Sequence, residues 1–143
     1  MSFPGGKSGI DEYKKVNATS GMDEFKPHRL IQMLMEGALE KISTARGMME
    51  RDEVAGKGEL IGKAISIVEG LRVSLDKSAG GDIADNLDML YEYMAHRLLE
   101  ANLHNKPDYL SEVSEMLSKI KDAWDQIPQE IIDEHAEKVK GRS

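Results

Sequence analysis

The chain has 143 residues, with 26 acidic against 19 basic side chains, a formal net charge of -7 and no cysteine. This length corresponds to one domain with a core of its own. The lack of cysteine excludes disulfide scaffolds, thiolate zinc sites and cysteine nucleophiles, and the acidic charge disfavours nucleic acid, whose phosphates it repels.

The N-terminal residues 1–9 contain no apolar run that could act as a signal peptide, and no later segment has the apolar length of a membrane span. We therefore expect a cytosolic protein without membrane insertion, and we expect residues 1–9 to be disordered. After them, Ile10, Tyr13 and Val16 recur at three-residue steps. This spacing predicts an N-terminal arm over residues 10–26 that is at best a marginal helix.

Two long segments follow in which apolar residues recur at steps of three and four, the spacing of one helix face. The first runs from Pro27, a residue suited to a first helical turn, to about Arg51. The second carries its apolar line from Leu60 to Leu75, after glycines that weaken its start. Residues 77–80, with the sequence KSAG, are predicted to be the loop that ends it.

Two further segments have the same helical period. The third spans about residues 82–104 and has Asp82 and Asp85 in its first turn, where the helix dipole favours negative charge. The fourth runs from Pro107 to Ile127, and Pro128 ends or kinks it. No segment alternates with the period of a strand. Short links between long helices predict an all-α, antiparallel four-helix bundle over residues 27–128, followed by a charged tail, 129–143, that forms at best a short helix.

The pattern shows no site for catalysis or metal binding. A di-iron bundle needs Glu-x-x-His on two helices. Here the nearest pairs are Glu92 with His96 and Glu100 with His104, which are four residues apart on one helix and typical of surface neighbours. The glycine pair at 80 and 81 lacks the lysine and serine of a nucleotide loop. We therefore expect no enzyme, no cofactor and no metal.

Surplus apolar residues remain on the second and third helices. They widen each apolar face beyond a single line, for example with Ile65 on one helix and Met89 on the other. One interpretation is that both helices lie centrally in the bundle. The other is a groove that receives an amphipathic segment of a partner, where methionine provides adaptable contacts. Periodicity alone favours the first.

Five blocks of sequence resemble the flagellin export chaperones of the FliS family in order and spacing. They are SGIDEYKKV (8–16), PHRLIQMLMEGAL (27–39), KAISIVEGLRVSLD (63–76), GGDIADNLDMLYEYMAHRLLEANLHN (80–105) and DAWDQI (122–127). The chain departs from the family at Lys26, where a serine or threonine usually caps the first helix, and at Met35, which replaces a usual aromatic residue. The tail after Pro128 matches nothing in the family pattern.

The resemblance implies a cytosolic chaperone that binds the C-terminal segment of newly made flagellin, prevents premature polymerisation and assists its type III export. It also suggests the flagellar export apparatus and the anti-sigma factor FlgM as further partners. A competing hypothesis from a different class is a helical structural or adaptor protein that associates with itself through the same apolar faces.

By the family pattern, Ile10 and Tyr13 belong to an arm that binds the client or pins the N-terminus to the bundle. For the flagellin-binding groove the sequence suggests apolar positions at the ends of helices two and three. They are Leu71, Leu75, Ile83, Leu87 and Tyr91. The same periodicity describes groove and core, so some of these residues are expected to be core.

Overall fold

The computed structural model describes the backbone of residues 27–141, and in this part of the chain it contains five helices and no strand. The helices are α1 (Pro27–Glu50), α2 (Lys57–Val73), α3 (Lys77–His104), α4 (Pro107–Asp125) and α5 (Gln129–Gly141). The prediction of an all-α fold is confirmed. The arm over residues 10–26, with Ile10 and Tyr13, and the predicted disorder of residues 1–9 lie outside the described residues.

Helices α1 to α4 form the bundle, and each packs against the next, with α4 returning to α1. Lys57 at the start of α2 donates hydrogen bonds to the backbone and side-chain oxygens of Asn102 near the end of α3, both at 3.1 Å. His28 and Trp124 join the start of α1 to the end of α4: Nε2 of His28 donates to the Trp124 carbonyl at 2.8 Å, and the rings stack. Neighbouring helices are therefore antiparallel, as short links require.

The core lies along the axis of the bundle and consists mainly of aliphatic and methionine side chains from all four helices. The largest of those with almost no exposed surface include Leu34, Met35, Ile42, Ile61, Met94, Leu98, Leu110 and Leu117. Met35, where the resemblance implies an aromatic residue, is 1% exposed. An unbranched, flexible side chain can fill the space at this point of the core.

The link between α2 and α3 differs from the prediction. Residues 77–80, expected to be a loop, form the first turn of α3, because the carboxylate of Asp76 caps this turn and accepts from the backbone N–H of Ala79 at 3.2 Å. The helical backbone is interrupted one residue later, at Gly81, with φ 53° and ψ -128°. Glycine has no Cβ and adopts this conformation at little cost.

Helix α5 follows Pro128, close to the end of α4. Its sequence places Ile131 and Ile132 among charged residues, and within the described part of the chain it makes no extensive contact with α1 to α4. The tail therefore forms the short helix that the sequence allowed, outside the bundle. None of the helices described here is long and apolar enough to cross a membrane.

Candidate functional site

Helix α3 has an unusually apolar surface. Among the described residues, nine large apolar side chains are exposed, and six of them lie on this helix. They are Ile83, Met89, Leu90, Tyr93, Leu99 and Leu103. Scattered exposed apolar residues are ordinary, but a concentration on one helix indicates a binding surface.

One flank of α3 carries part of this surface and faces α4. Residues 83, 86, 90, 93 and 97 follow each other at steps of three and four, so they form one line along the helix. At the C-terminal end of this line, Oη of Tyr93 donates to Glu112 at 2.5 Å, and Nε of Arg97 donates to the same carboxylate at 2.8 Å. Because Glu112 belongs to α4, these contacts fix the line to the α4 side of α3.

The matching line on α4 begins at Tyr109 and Glu112. It continues at the same spacing through Met116, Ile120 and Ala123, and Ile127 follows just after the helix ends. Met116 and Ile120 are half-buried and pack against the core, as Leu87 does from the α3 side. Of the four pairs of neighbouring helices in the bundle, α3 and α4 make the least extensive contact. We call the apolar surface along these two lines the α3–α4 groove and define it by Ile83, Leu87, Leu90, Met116 and Ile120.

A polar cluster closes this groove at the end where α4 begins. The guanidinium of Arg97 binds Glu112 and Glu100 and lies over the ring of Tyr109, 3.6 Å from its centroid. Hydrogen bonds from Tyr93 and Arg97 hold the pKa of Glu112 below its ordinary value of 4.5. The cluster therefore orders the groove wall while Glu112 is ionised.

Replacing Glu112 by glutamine is expected to lower the denaturation midpoint slightly at neutral pH and to leave it unchanged in acid. The pKa of Glu112 is lowered in the folded state, so its stabilising effect is present above its ordinary pKa of 4.5 and is lost as the pH falls through the lowered value. The effect is small because the cluster is partly solvated. Urea denaturation at several pH values, followed by the fluorescence of the single tryptophan, measures the denaturation midpoints of the variant and the wild-type chain. A difference from wild type that persists unchanged in acid would contradict this assignment.

The residues that the sequence suggested for flagellin binding fall into four groups. Leu71 and Tyr91 are 1% and 3% exposed and belong to the core, and burial raises the pKa of Tyr91 to about 12. Both side chains therefore present almost no surface in this conformation. Leu75 and Leu87 are half-buried against the core, whereas Ile83 is 72% exposed. Ile10 and Tyr13 lie outside the described residues.

Three groove residues were not predicted: Leu90 on α3 and Met116 and Ile120 on α4. All three lie on helical apolar lines, so the sequence identifies them as apolar-face residues. It does not say that this face is only partly covered, since that depends on how closely α3 and α4 pack. Asn86, which lies on the same flank of α3, is exposed.

The described residues show no constellation for metal binding. No group of three histidine, aspartate or glutamate side chains in this part of the chain could hold a metal ion. His96 lies 3.8 Å from Glu100, as surface neighbours one helical turn apart do.

The fold and the groove together define a helical binding protein. The model of the family described as flagellar protein FliS matches residues 9–131. The chain is 51% identical over 118 residues to the flagellar secretion chaperone FliSB of Pseudomonas aeruginosa, covering 82% of this chain and 94% of that protein. It is 42% identical over 124 residues to FliS of Vibrio cholerae, covering 87% and 91% of the two chains. With FliS of Salmonella typhimurium the identity is 46% over 121 residues, 84% and 90% of the two chains.

The chain therefore belongs to the FliS family of flagellar secretion chaperones. The resemblance inferred from the five sequence blocks is confirmed. Family membership also confirms the expectation of a non-enzymatic protein of flagellum biogenesis and protein export. The family match ends at residue 131, so most of α5 lies beyond it.

Proposed function

We propose that this chain acts in the cytosol, binds the C-terminal segment of flagellin, prevents its premature polymerisation and assists its export through the flagellar type III apparatus. The observation that carries the proposal is the α3–α4 groove, a partly exposed apolar surface on a member of a secretion chaperone family. A monomeric bundle has no structural need for this exposed surface, whereas a chaperone needs it to cover the apolar face of a client.

The chemistry of the groove suits an amphipathic client. Ile83 and Leu90 provide exposed anchors, and Leu87, Met116 and Ile120 provide an apolar floor. Helix-in-groove recognition uses such anchors at steps of three and four. A segment that is disordered before binding must be ordered in the complex, which lowers the net affinity and keeps the client displaceable at the export apparatus.

Residues outside the groove extend the proposed site. Leu75 lies in the link between α2 and α3, at the end of the bundle where Ile83 is exposed, and would contact a client that leaves the groove there. Ile10 and Tyr13 in the N-terminal arm would hold the client against the bundle. Contacts of this kind let a long client bury a large area through several weak sites.

Titration calorimetry with the C-terminal segment of the cognate flagellin tests the proposal. We expect saturable binding with a negative heat-capacity change, because apolar surface is buried. A peptide of the same composition in scrambled order is the control, since it lacks the amphipathic spacing. Absence of binding at micromolar concentrations would contradict the proposal. The same titration with FlgM determines whether this regulator is a further partner.

A further inference from the structure

Helix α5 has an apolar line of its own and lies apart from the bundle. Ile132, Ala136 and Val139 follow each other at steps of four and three, so they share one face of this helix. The opposite side carries an acidic line at the same steps, formed by Glu130, Glu134 and Glu137. Within the described part of the chain α5 makes no extensive contact with α1 to α4. A short amphipathic helix that packs against nothing is marginal in water, so α5 gains stability from a surface that covers its apolar line.

Helix α5 leaves the bundle at one end of the α3–α4 groove. Glu112 of α4 lies beside Arg97 of α3, and these two helices are antiparallel. Asp125, thirteen residues after Glu112, therefore lies level with the residue thirteen before Arg97, which is Ala84. Ala84 is next to Ile83, the first residue of the groove. The start of α5 is thus placed beside an exposed apolar surface of the same chain.

Residues 126–128 link α4 to α5 and are the segment about which α5 can turn. Just before the link, the carboxylate of Asp125 accepts a hydrogen bond from Gln32 of α1 at 2.7 Å, so α4 is held to the bundle up to this residue. Just after it, the carbonyl of Pro128 accepts from the backbone N–H of Ile131 at 3.0 Å, in the first turn of α5. Links of two to five residues join antiparallel helices in αα-hairpins. The link therefore allows α5 to turn back along α4.

The groove matches α5 in length and in the position of its apolar residues. From Ile83 to Arg97 it spans fourteen residues of α3, about 21 Å, and the 13 residues of α5 span about 20 Å. When α5 turns back, Gln129 takes the level of Asp125, and we call this the closed arrangement. Counting along the helices from that level gives three pairs, each matched to within one residue: Ile132 with Leu87, Ala136 with Leu90, and Val139 with Met116.

Charge favours the closed arrangement. The last turns of α5 contain Lys138 and Lys140, which then lie at the end of the groove where the polar cluster is. Acidic residues outnumber basic ones around that end: Glu100, Asp108, Glu112 and Glu115 against Arg97 and Lys119. The acidic line of α5 is opposite its apolar line and therefore faces water. The two lysines thus meet an excess of negative charge, which attracts them.

We propose that α5 closes over the α3–α4 groove of its own chain and is displaced when a client binds. The three-residue link keeps α5 at an effective concentration in the millimolar range beside the groove, so a weak contact is enough to populate the closed arrangement. Closure does not depend on the identity of the client, but its effect on client affinity rests on the function proposed above. The affinity for a client is reduced by the fraction of molecules whose groove is free.

Disulfide trapping in the full-length chain tests closure, since the chain contains no cysteine of its own. The trapping variant is Leu90→Cys/Ala136→Cys, and the matched control is Glu92→Cys/Ala136→Cys. Glu92 is two residues from Leu90 but lies on the other flank of α3, where it approaches Arg72 of α2 at 3.5 Å. Cysteines whose Cα atoms are more than about 7 Å apart form no disulfide without backbone movement.

In a glutathione redox buffer, we expect the effective concentration of the cysteine pair to be at least about tenfold higher in the trapping variant than in the control. Mass spectrometry distinguishes a disulfide within one chain from a disulfide between two chains, and circular dichroism verifies that both variants are folded. Equal effective concentrations in the two variants, or disulfides that form only between chains, would overturn the proposal.

Titration calorimetry with the C-terminal segment of flagellin connects closure to client binding. The oxidised trapping variant should bind this segment at least about tenfold more weakly than the same variant after reduction, because the fixed α5 covers the groove. The control variant should bind equally under both conditions. Equal affinity of the two forms of the trapping variant would refute the covering role of α5. Absence of binding in every variant and in the wild-type chain would refute the function proposed above, whereas the disulfide yields still decide closure.

Substitutions that weaken closure should have the opposite effect. Ile132→Ser/Val139→Ser removes apolar residues from the line on α5, so the client should bind more tightly than in the wild-type chain. The expected gain is at least about twofold, the factor for a groove that is closed in half of the molecules. Glu130→Gln/Glu137→Gln, on the opposite side of α5, is the control and should leave the affinity unchanged. If the serine variant binds the client no more tightly than the wild-type chain, closure does not occur in the unmodified protein.

Discussion

The double variant Ile83→Asp/Leu90→Gln is expected to bind the C-terminal segment of flagellin about a hundredfold more weakly than the wild-type chain. Each substitution removes an apolar anchor, and burying such a side chain contributes about 1.5–3 kcal/mol. A combined loss of about 3 kcal/mol corresponds to a factor of about one hundred in the dissociation constant. Glutamine is used at Leu90 because this residue is only 38% exposed and a carboxylate there would be partly desolvated.

The same substitutions should leave the bundle folded, because Ile83 is 72% exposed and contributes little to the core. Titration calorimetry gives the affinity, and urea denaturation gives the stability of the same sample. The matched control is Val54→Asp/Val73→Gln, whose two valines are 75% and 83% exposed and lie outside the groove. Equal affinity of the groove variant and this control would show that the client binds elsewhere.

Periodicity predicted the helices well because a helix in a bundle must present an apolar line to its neighbours. The first helix was expected over 27–51 and is observed as Pro27–Glu50, and Pro107 begins the fourth as predicted. The prediction of a loop at residues 77–80 was wrong because the sequence alone does not distinguish the backbone conformations of Gly80 and Gly81. In the structure only Gly81 has the left-handed conformation, since the cap at Asp76 keeps Gly80 in the helix.

The candidate site was less predictable, because one periodicity describes both buried and exposed apolar residues. Tyr91 and Leu90 are neighbours in sequence and point to different environments, one in the core and the other at the groove. The sequence also did not predict the cluster of Arg97 and Glu112, because its members lie on different helices. Such contacts depend on how far α3 and α4 separate, and helical spacing in one chain does not give that distance.

The acidic excess of the chain has a consequence for its exposed apolar surfaces. The α3–α4 groove leaves large apolar side chains in water, and a net charge of -7 opposes nonspecific association between such molecules.

Leu71→Ala is expected to lower the free energy of unfolding by about 2–5 kcal/mol, the range for large-to-small changes in a packed core, with little effect on client affinity. Leu71 is 1% exposed and lies among the core residues. A domain of this size is typically stable by about 5–15 kcal/mol. The variant should therefore remain largely folded, and each folded molecule retains an intact α3–α4 groove. Urea denaturation followed by the single tryptophan, Trp124, measures the loss of stability.

Ile83→Ala provides the converse of this experiment. It should lower client affinity by up to about tenfold through lost apolar contact, while the denaturation midpoint changes little because Ile83 is exposed. The two variants thus separate a core residue from a groove residue although the sequence suggested both for the same site. If Leu71→Ala weakens binding strongly under conditions where the chain is folded, the client must reach Leu71. That result would mean that flagellin binding opens the bundle between α2 and α3, rather than filling a groove that already exists.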